Sequence, residues 1–156
     1  MKTINNMWLI DDDLLFRICT EVLVKDNDLA KNIELIDGAT SAIDELKNIT
    51  AKGGQMPDAI FVDLNMPEMN GWEFIESVIE LDLIDYSKTV IYILSSSLDP
   101  RDFARAETYE QLSGFVQKPI TPDSLKNILD EAVLKLESIS RFKNPILLPI
   151  NIQSKI

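Results

Sequence analysis

At 156 residues, 46% apolar and 26% charged, the chain suits one ordinary globular domain with a real core rather than a disordered segment. Fifteen basic against twenty-six acidic residues leave a net charge of −11, which opposes non-specific binding to nucleic acid or to anionic membranes. With no His there is no histidine base, ligand or phosphocarrier of its own, and the single Cys19 cannot form an internal disulfide. The first apolar stretch, Met7–Ile10, is too short for a signal peptide or a membrane span, so a soluble, cytoplasmic protein in a reducing compartment is expected.

In chain order, Met7–Ile10 reads as a strand closed by Asp11-Asp12-Asp13. Leu15, Ile18, Cys19, Val22 and Leu23 then recur at helical spacing, which predicts a helix burying that stripe, with Cys19 inert within it. A second strand, Ile33–Ile36, ends at Asp37-Gly38, and Ala39, Ala42, Ile43 and Leu46 form a second stripe. The third strand, Ala59–Val62, ends at Asp63, and Trp72, Ile75, Val78 and Ile79 mark a third helix in which Trp72 and Phe74 are expected to pack. Val90–Leu94 ends at Ser95-Ser96-Ser97 and precedes a weaker helix carrying Phe103, Ala106 and Tyr109 or Glu110. Phe115-Val116 ends at Lys118-Pro119. The last helix has Thr121 as N-cap, Pro122 at its first position, and Leu125, Ile128, Leu129, Ala132, Val133 and Leu136 on one face.

Five strands alternating with five helices predict a doubly wound parallel sheet covered on both faces. Ligands in such sheets sit beyond the carboxyl ends of the strands. The polar residues there are Asp11, Asp12, Asp13, Asp63, Ser95 and Lys118, brought from distant parts of the chain to one rim. Clustered acids raise one another's pKa unless a cation intervenes, and a few hard carboxylate oxygens suit Mg²⁺. A carboxylate beside such an ion and a lysine can act as nucleophile toward phosphorus. Asp13 has another use, since an acid there caps the first helix; one cap takes one side chain, so capping leaves Asp11 and Asp12 unexplained.

The segment "DLNMPEMNGWEF", starting at Asp63, resembles the D-x-x-M-P-x-M-x-G signature of receiver domains from bacterial two-component response regulators, the CheY-like family. The acidic pair after the first strand, the Ser after the fourth and the Lys-Pro after the fifth extend the resemblance over about residues 5 to 138. It implies a flavodoxin-like α/β fold with five parallel strands in the order 2-1-3-4-5. It also implies that Asp63 is the phosphoacceptor, that Asp12, Asp63 and the backbone carbonyl of Asn65 bind Mg²⁺, and that Asp11 acts mainly through a bound water. Lys118 would contact the phosphoryl group, with a cis bond to Pro119. Ser95 matches the hydroxyl switch position, usually Thr, and Phe115 the aromatic that follows it. Asn65 and Ser97 stand where side chains tune acyl-phosphate lifetime. Met66-Pro67 would shape the loop after Asp63, and Gly71 would permit a tight approach to the next helix. Ser96 and Ser97 can equally be plain loop.

The implied protein is a stand-alone receiver, residues 1–140, with a tail over 141–156. It would accept a phosphoryl group from a phosphohistidine on a histidine kinase or phosphotransfer protein, assist its own phosphorylation and hydrolysis, and signal to an output protein through the fourth helix, fifth strand and fifth helix. No DNA-binding domain follows in this sequence, so output is expected through protein contact, from a monomer or weak homodimer. One rival is a receiver-like binding module independent of phosphorylation, against which the set Asp12, Asp63, Ser95 and Lys118 counts. Another is a Mg²⁺-dependent phosphoaspartate hydrolase, resembling the haloacid dehalogenase family, which would need an Asp where Asn65 stands. The apolar tail, with Ile146-Leu147-Leu148 between Pro145 and Pro149, is expected to pack on the domain, at a sheet edge or against a second copy.

Overall fold

The structure, a computed structural model, describes residues 3–142, with side-chain surroundings for residues 3–138. Its elements are β1 (Ile4–Ile10), α1 (Leu14–Asp26), β2 (Ala30–Ile36), α2 (Ala39–Lys52), β3 (Ala59–Asp63), α3 (Gly71–Glu80), β4 (Val90–Ser95), α4 (Pro100–Glu107), β5 (Gly114–Gln117) and α5 (Pro122–Phe142). The strands form one parallel sheet in the order β2-β1-β3-β4-β5, as the resemblance implied. Each predicted strand is present, extended by one to three residues at its ends. The expectation about the apolar tail falls on residues 143–156 and lies outside the described residues.

Two-residue periodicity divides the strand side chains between two cores. Trp8, Ile10, Ile60, Val62, Ile91 and Ile93 face one side, where Ala42, Leu46, Ile75, Val78 and Ala106 from α2, α3 and α4 cover them. Met7, Leu9, Phe61, Tyr92 and Leu94 face the other, against Val24 of α1 and Leu125, Leu129, Ala132 and Leu136 of α5. The central strands β3 and β4 are buried at every residue, as continuous apolar runs covered by helices on both faces must be. Each fully buried Ile or Phe there contributes about 1.5–3 kcal/mol relative to exposure.

Of the stripe predicted for α1, only Leu23 packs on the core, and the rest faces away from it. Leu14, Leu15, Ile18 and Val22 are exposed, and so is Cys19. The sheet instead receives Phe16, Thr20, Leu23 and Val24, a second set at helical spacing. Both faces of α1 are apolar, so periodicity alone does not select between them. Two other stripes stand: Ala39, Ala42, Ile43 and Leu46 are buried in α2, and Trp72, Phe74, Ile75 and Val78 in α3. The weaker fourth helix is shorter than expected, since α4 ends at Glu107 with Thr108 as its C-cap, so Ala106 is buried within it while Tyr109 and Glu110 fall beyond it. Thr121 caps α5 by accepting from Ser124 N–H at 3.1 Å, and Pro122 opens that helix.

Candidate functional site

Parallel pairing brings the ends of β1, β3, β4 and β5 to a common rim. Register sets Ile10 beside Val62, Asp63 beside Leu94 and Ser95 beside Gln117, so the polar residues just past each apolar run emerge together. Backbone bonds carry the pairing past the strand ends: Leu64 N–H donates to Leu94 O at 3.1 Å and Lys118 N–H to Ser95 O at 2.9 Å.

The aspartate run separates into three environments. Asp11 has 0% exposure; its carboxylate accepts from Asp13 N–H at 2.9 Å and from Lys118 Nζ at 2.7 Å. Asp12 is exposed. Asp13 caps α1, accepting from Phe16 N–H at 3.2 Å, which leaves two acids at the rim. Asp63, nearly buried, lies 3.5 Å from Lys118 Nζ through Oδ1. Burial, and then the facing Asp11 carboxylate, push the Asp63 carboxyl from its ordinary 3.8 up to about 6. Lys118 and the backbone N–H of Asn65 pull it only partly back.

One carboxylate oxygen from each of Asp11, Asp12 and Asp63 lies within 4.8 Å of the others. Among the described residues, these three carboxylates have one ammonium close by, that of Lys118, and all the donors are hard oxygens. A divalent cation of the Mg²⁺ type fits that donor set.

The loop after Asp63 is shaped by its close approach to α3. A Cβ on Gly71 would lie 2.6 Å from Asp63 O and 2.9 Å from Leu64 Cα, closer than any side chain tolerates. Gly71 N–H donates to Leu64 O at 2.9 Å, and Asn70 closes a capping box with Glu73. The tight approach read from Gly71 is present, Met66 is buried beneath the loop, and Asn65 is exposed.

Ser95 is fully buried at the end of β4, with Oγ accepting from Ser97 N–H at 3.0 Å. The Ser97 hydroxyl points toward α4 and donates to Asp102. Phe115 is half-buried, its ring 4.4 Å from that of Phe103 on α4. The Lys118–Pro119 peptide is cis, as expected.

Three participants were missed in the sequence. Phe16 lies beneath Lys118, whose Nζ is 4.1 Å from the ring centroid. Arg17 Nη1 donates to Asp11 O at 2.7 Å. Asp102 holds Ser97. Phe16 and Arg17 follow the aspartates closely, yet no local pattern marks either, because each acts on an atom beyond its own helix. Trp72 packs as expected and also carries Arg105 over its ring at 4.7 Å and Tyr109 stacked at 5.9 Å, both donating to Glu76.

The model of the response regulator receiver domain matches residues 7–130. Among solved structures, the chain is similar to a two-component response regulator from Cytophaga hutchinsonii, 32% identical with a TM-score of 0.77 over 85% of this chain and 98% of that one. A response regulator receiver protein from Dyadobacter fermentans is 25% identical, with a TM-score of 0.70 over 82% of this chain and 97% of that one. A curated relative, the protein-glutamate methylesterase/protein-glutamine glutaminase of Clostridium acetobutylicum, is 29% identical over 92% of this chain. The chain spans 39% of that relative's length. No helix among the described residues is long and apolar enough to cross a membrane. The residues at the rim, the strand order and the family match agree: the chain belongs to the response regulator receiver domain family.

Proposed function

We propose that the protein is a phosphoacceptor whose receiver domain, read as residues 1–140, takes a phosphoryl group onto Asp63 from a phosphohistidine on a histidine kinase or phosphotransfer protein. The observation that supports it most is the placing of Lys118 Nζ 2.7 Å from Asp11 and 3.5 Å from Asp63, beside a trio of carboxylates within 4.8 Å. In the transfer, an Asp63 carboxylate oxygen forms a bond to phosphorus as the N–P bond to the donor imidazole breaks, and the electron pair leaves with that nitrogen. Asp12, Asp63 and the Asn65 carbonyl would hold Mg²⁺, with Asp11 acting mainly through a bound water, and the ion would supply positive charge to offset that on the phosphoryl oxygens.

The chain's own residues do the rest. Burial and the Asp11 carboxylate work against the charge on Asp63, so its nucleophilic carboxylate form depends on positive charge beside it, which Lys118 supplies at 3.5 Å. Lys118 is close enough to pair with a phosphoryl oxygen, steadied by the Phe16 ring. Ser95 donates its hydroxyl to the arriving group, and Phe115, packed on Phe103, relays its movement to the surface of α4, β5 and α5. The exposed Leu14, Leu15, Ile18 and Val22 of α1 adjoin the acidic rim and offer an apolar docking surface to the donor protein, whose phosphohistidine must come to that rim. Output runs through protein contacts in the cytoplasm, from a monomer or weak homodimer.

The test is incubation with Mg²⁺ and acetyl phosphate, followed by intact mass. One phosphoryl adduct, absent from Asp63→Ala and from chelated samples, supports the proposal. No adduct despite Mg²⁺ binding replaces it with a phosphorylation-independent binding module. Repeated turnover of phosphomonoesters replaces it with a hydrolase.

A further inference from the structure

The β4–α4 loop is tied at both ends through one residue. Ser97 N–H donates to Ser95 Oγ at 3.0 Å, and Ser97 Oγ donates to Asp102 Oδ2 at 2.6 Å. The same Ser97 oxygen accepts from Asp99 N–H at 3.1 Å. A serine hydroxyl has one proton to give, so the Ser97 proton is committed to α4 and is not free for the rim. The short bond to an ionised acceptor is of the strong kind. The adjoining Ser96 and Leu98 are exposed, with Leu98 at 75%, so neither side chain anchors the loop among the described residues.

Ser95 Oγ feels this arrangement directly. With one lone pair engaged by Ser97 N–H, its own O–H is left to donate elsewhere, and its orientation depends on where Ser97 N–H stands. Asp102 sets that position, because it fixes the Ser97 side chain from the first turn of α4, whose N-cap is Asp99.

We infer that Asp102 is a positioning residue for Ser95: through Ser97 it holds the β4–α4 loop so that the Ser95 hydroxyl is aimed at a phosphoryl group on Asp63. Ser97 acts in the same chain of contacts and not by touching the acyl phosphate. The inference rests on the phosphoacceptor reading and adds a residue to it. It also makes the link reciprocal, since a Ser95 hydroxyl drawn toward Asp63 pulls on the first turn of α4.

The experiment is a time course of Asp63 phosphorylation by acetyl phosphate and Mg²⁺, read by intact mass on the full chain. Asp102→Ala and Ser97→Ala should each slow it about five-fold, the scale of one net hydrogen bond lost from the transition state. The double variant should be no slower than either single one. Asp102→Asn keeps an acceptor for the Ser97 hydroxyl and should recover most of the rate. In a Ser95→Ala background, Asp102→Ala should have no further effect, whereas a merely structural role would slow both backgrounds alike. Mg²⁺ affinity, followed by tryptophan fluorescence, should not change. Circular dichroism screens the variants for folding, and Ser97→Ala carries the same expectation if Asp102→Ala is unstable. Wild-type rates in both single variants, or equal slowing with and without Ser95, overturn the inference while leaving Asp63 as acceptor. Absence of any adduct on the wild-type chain overturns the phosphoacceptor reading and this inference with it.

Discussion

Lys118 Nζ donates to Asp11 Oδ2 across 2.7 Å, joining the end of β5 to the end of β1 over a carboxylate that has no exposure. Removing the ammonium leaves that carboxylate buried without its cation. Breaking a buried pair costs about 3–5 kcal/mol, and the 18% exposure of the Lys118 side chain admits some water. Lys118→Met should therefore lose about 2–3 kcal/mol in urea denaturation with a chelator present. Added Mg²⁺ should return part of it. A loss within the error of the measurement would show that solvent, not Lys118, compensates Asp11.

Asp63 should limit the stability of the metal-free protein. Its folded pKa of about 6 stands above the ordinary 3.8, so between those values the folded state binds more protons than the unfolded one. The penalty is fully present above about pH 6 and is relieved as pH falls toward 3.8. Asp63→Asn removes it, and should stabilise the chelated protein at pH 8 by on the order of 2–3 kcal/mol, from about 1.4 kcal/mol per pKa unit. The gain over wild type should shrink through pH 6 to 4, in thermal melts across that range. A gain that does not vary with pH would mean Asp63 is not held against its charge.

Gly71 allows the Asp63 carbonyl to pass where a side chain would stand, at 2.6 Å from an ideal Cβ. Gly71→Ala must move backbone on one side or the other, at about 1–3 kcal/mol. Because the obstructed atom belongs to Asp63, the acetyl-phosphate reaction should slow as well. Equal stability and equal rate would show that the loop gives way freely.

Asp12 and Asp13 are neighbours with separate work. Asp13→Ala removes the α1 cap and should cost about 1 kcal/mol with phosphorylation retained. Asp12→Ala leaves the cap and the Lys118–Asp11 pair in place, so it should abolish the Mg²⁺-dependent adduct with little change in melting temperature. Paired melts and intact-mass measurements separate the two.

Parallel strands and the rim were legible in the chain because both follow from short-range rules, whereas the strand order came from the resemblance to the receiver family. Apolar runs punctuated by Asp, Ser or Lys predict parallel strands, and parallel strands deliver their last residues to one edge. Asp13 as a cap and Gly71 as a close approach were legible for the same reason, each being a matter of a few consecutive residues. Tertiary structure decided what periodicity leaves degenerate. α1 has two apolar faces, and only the sheet selects Phe16, Thr20, Leu23 and Val24 over Leu15, Ile18, Cys19 and Val22. Which of the two remaining aspartates is buried depends on Lys118 arriving from β5 to pair with Asp11. Whether Ser97 faces the rim or α4 depends on Asp102. Side-chain direction depends on partners that spacing along the chain does not name. "WLIDDDLLF" carried two acids of the site and one cap, and the burial of Asp11 beside an exposed Asp12 came from the fold around them.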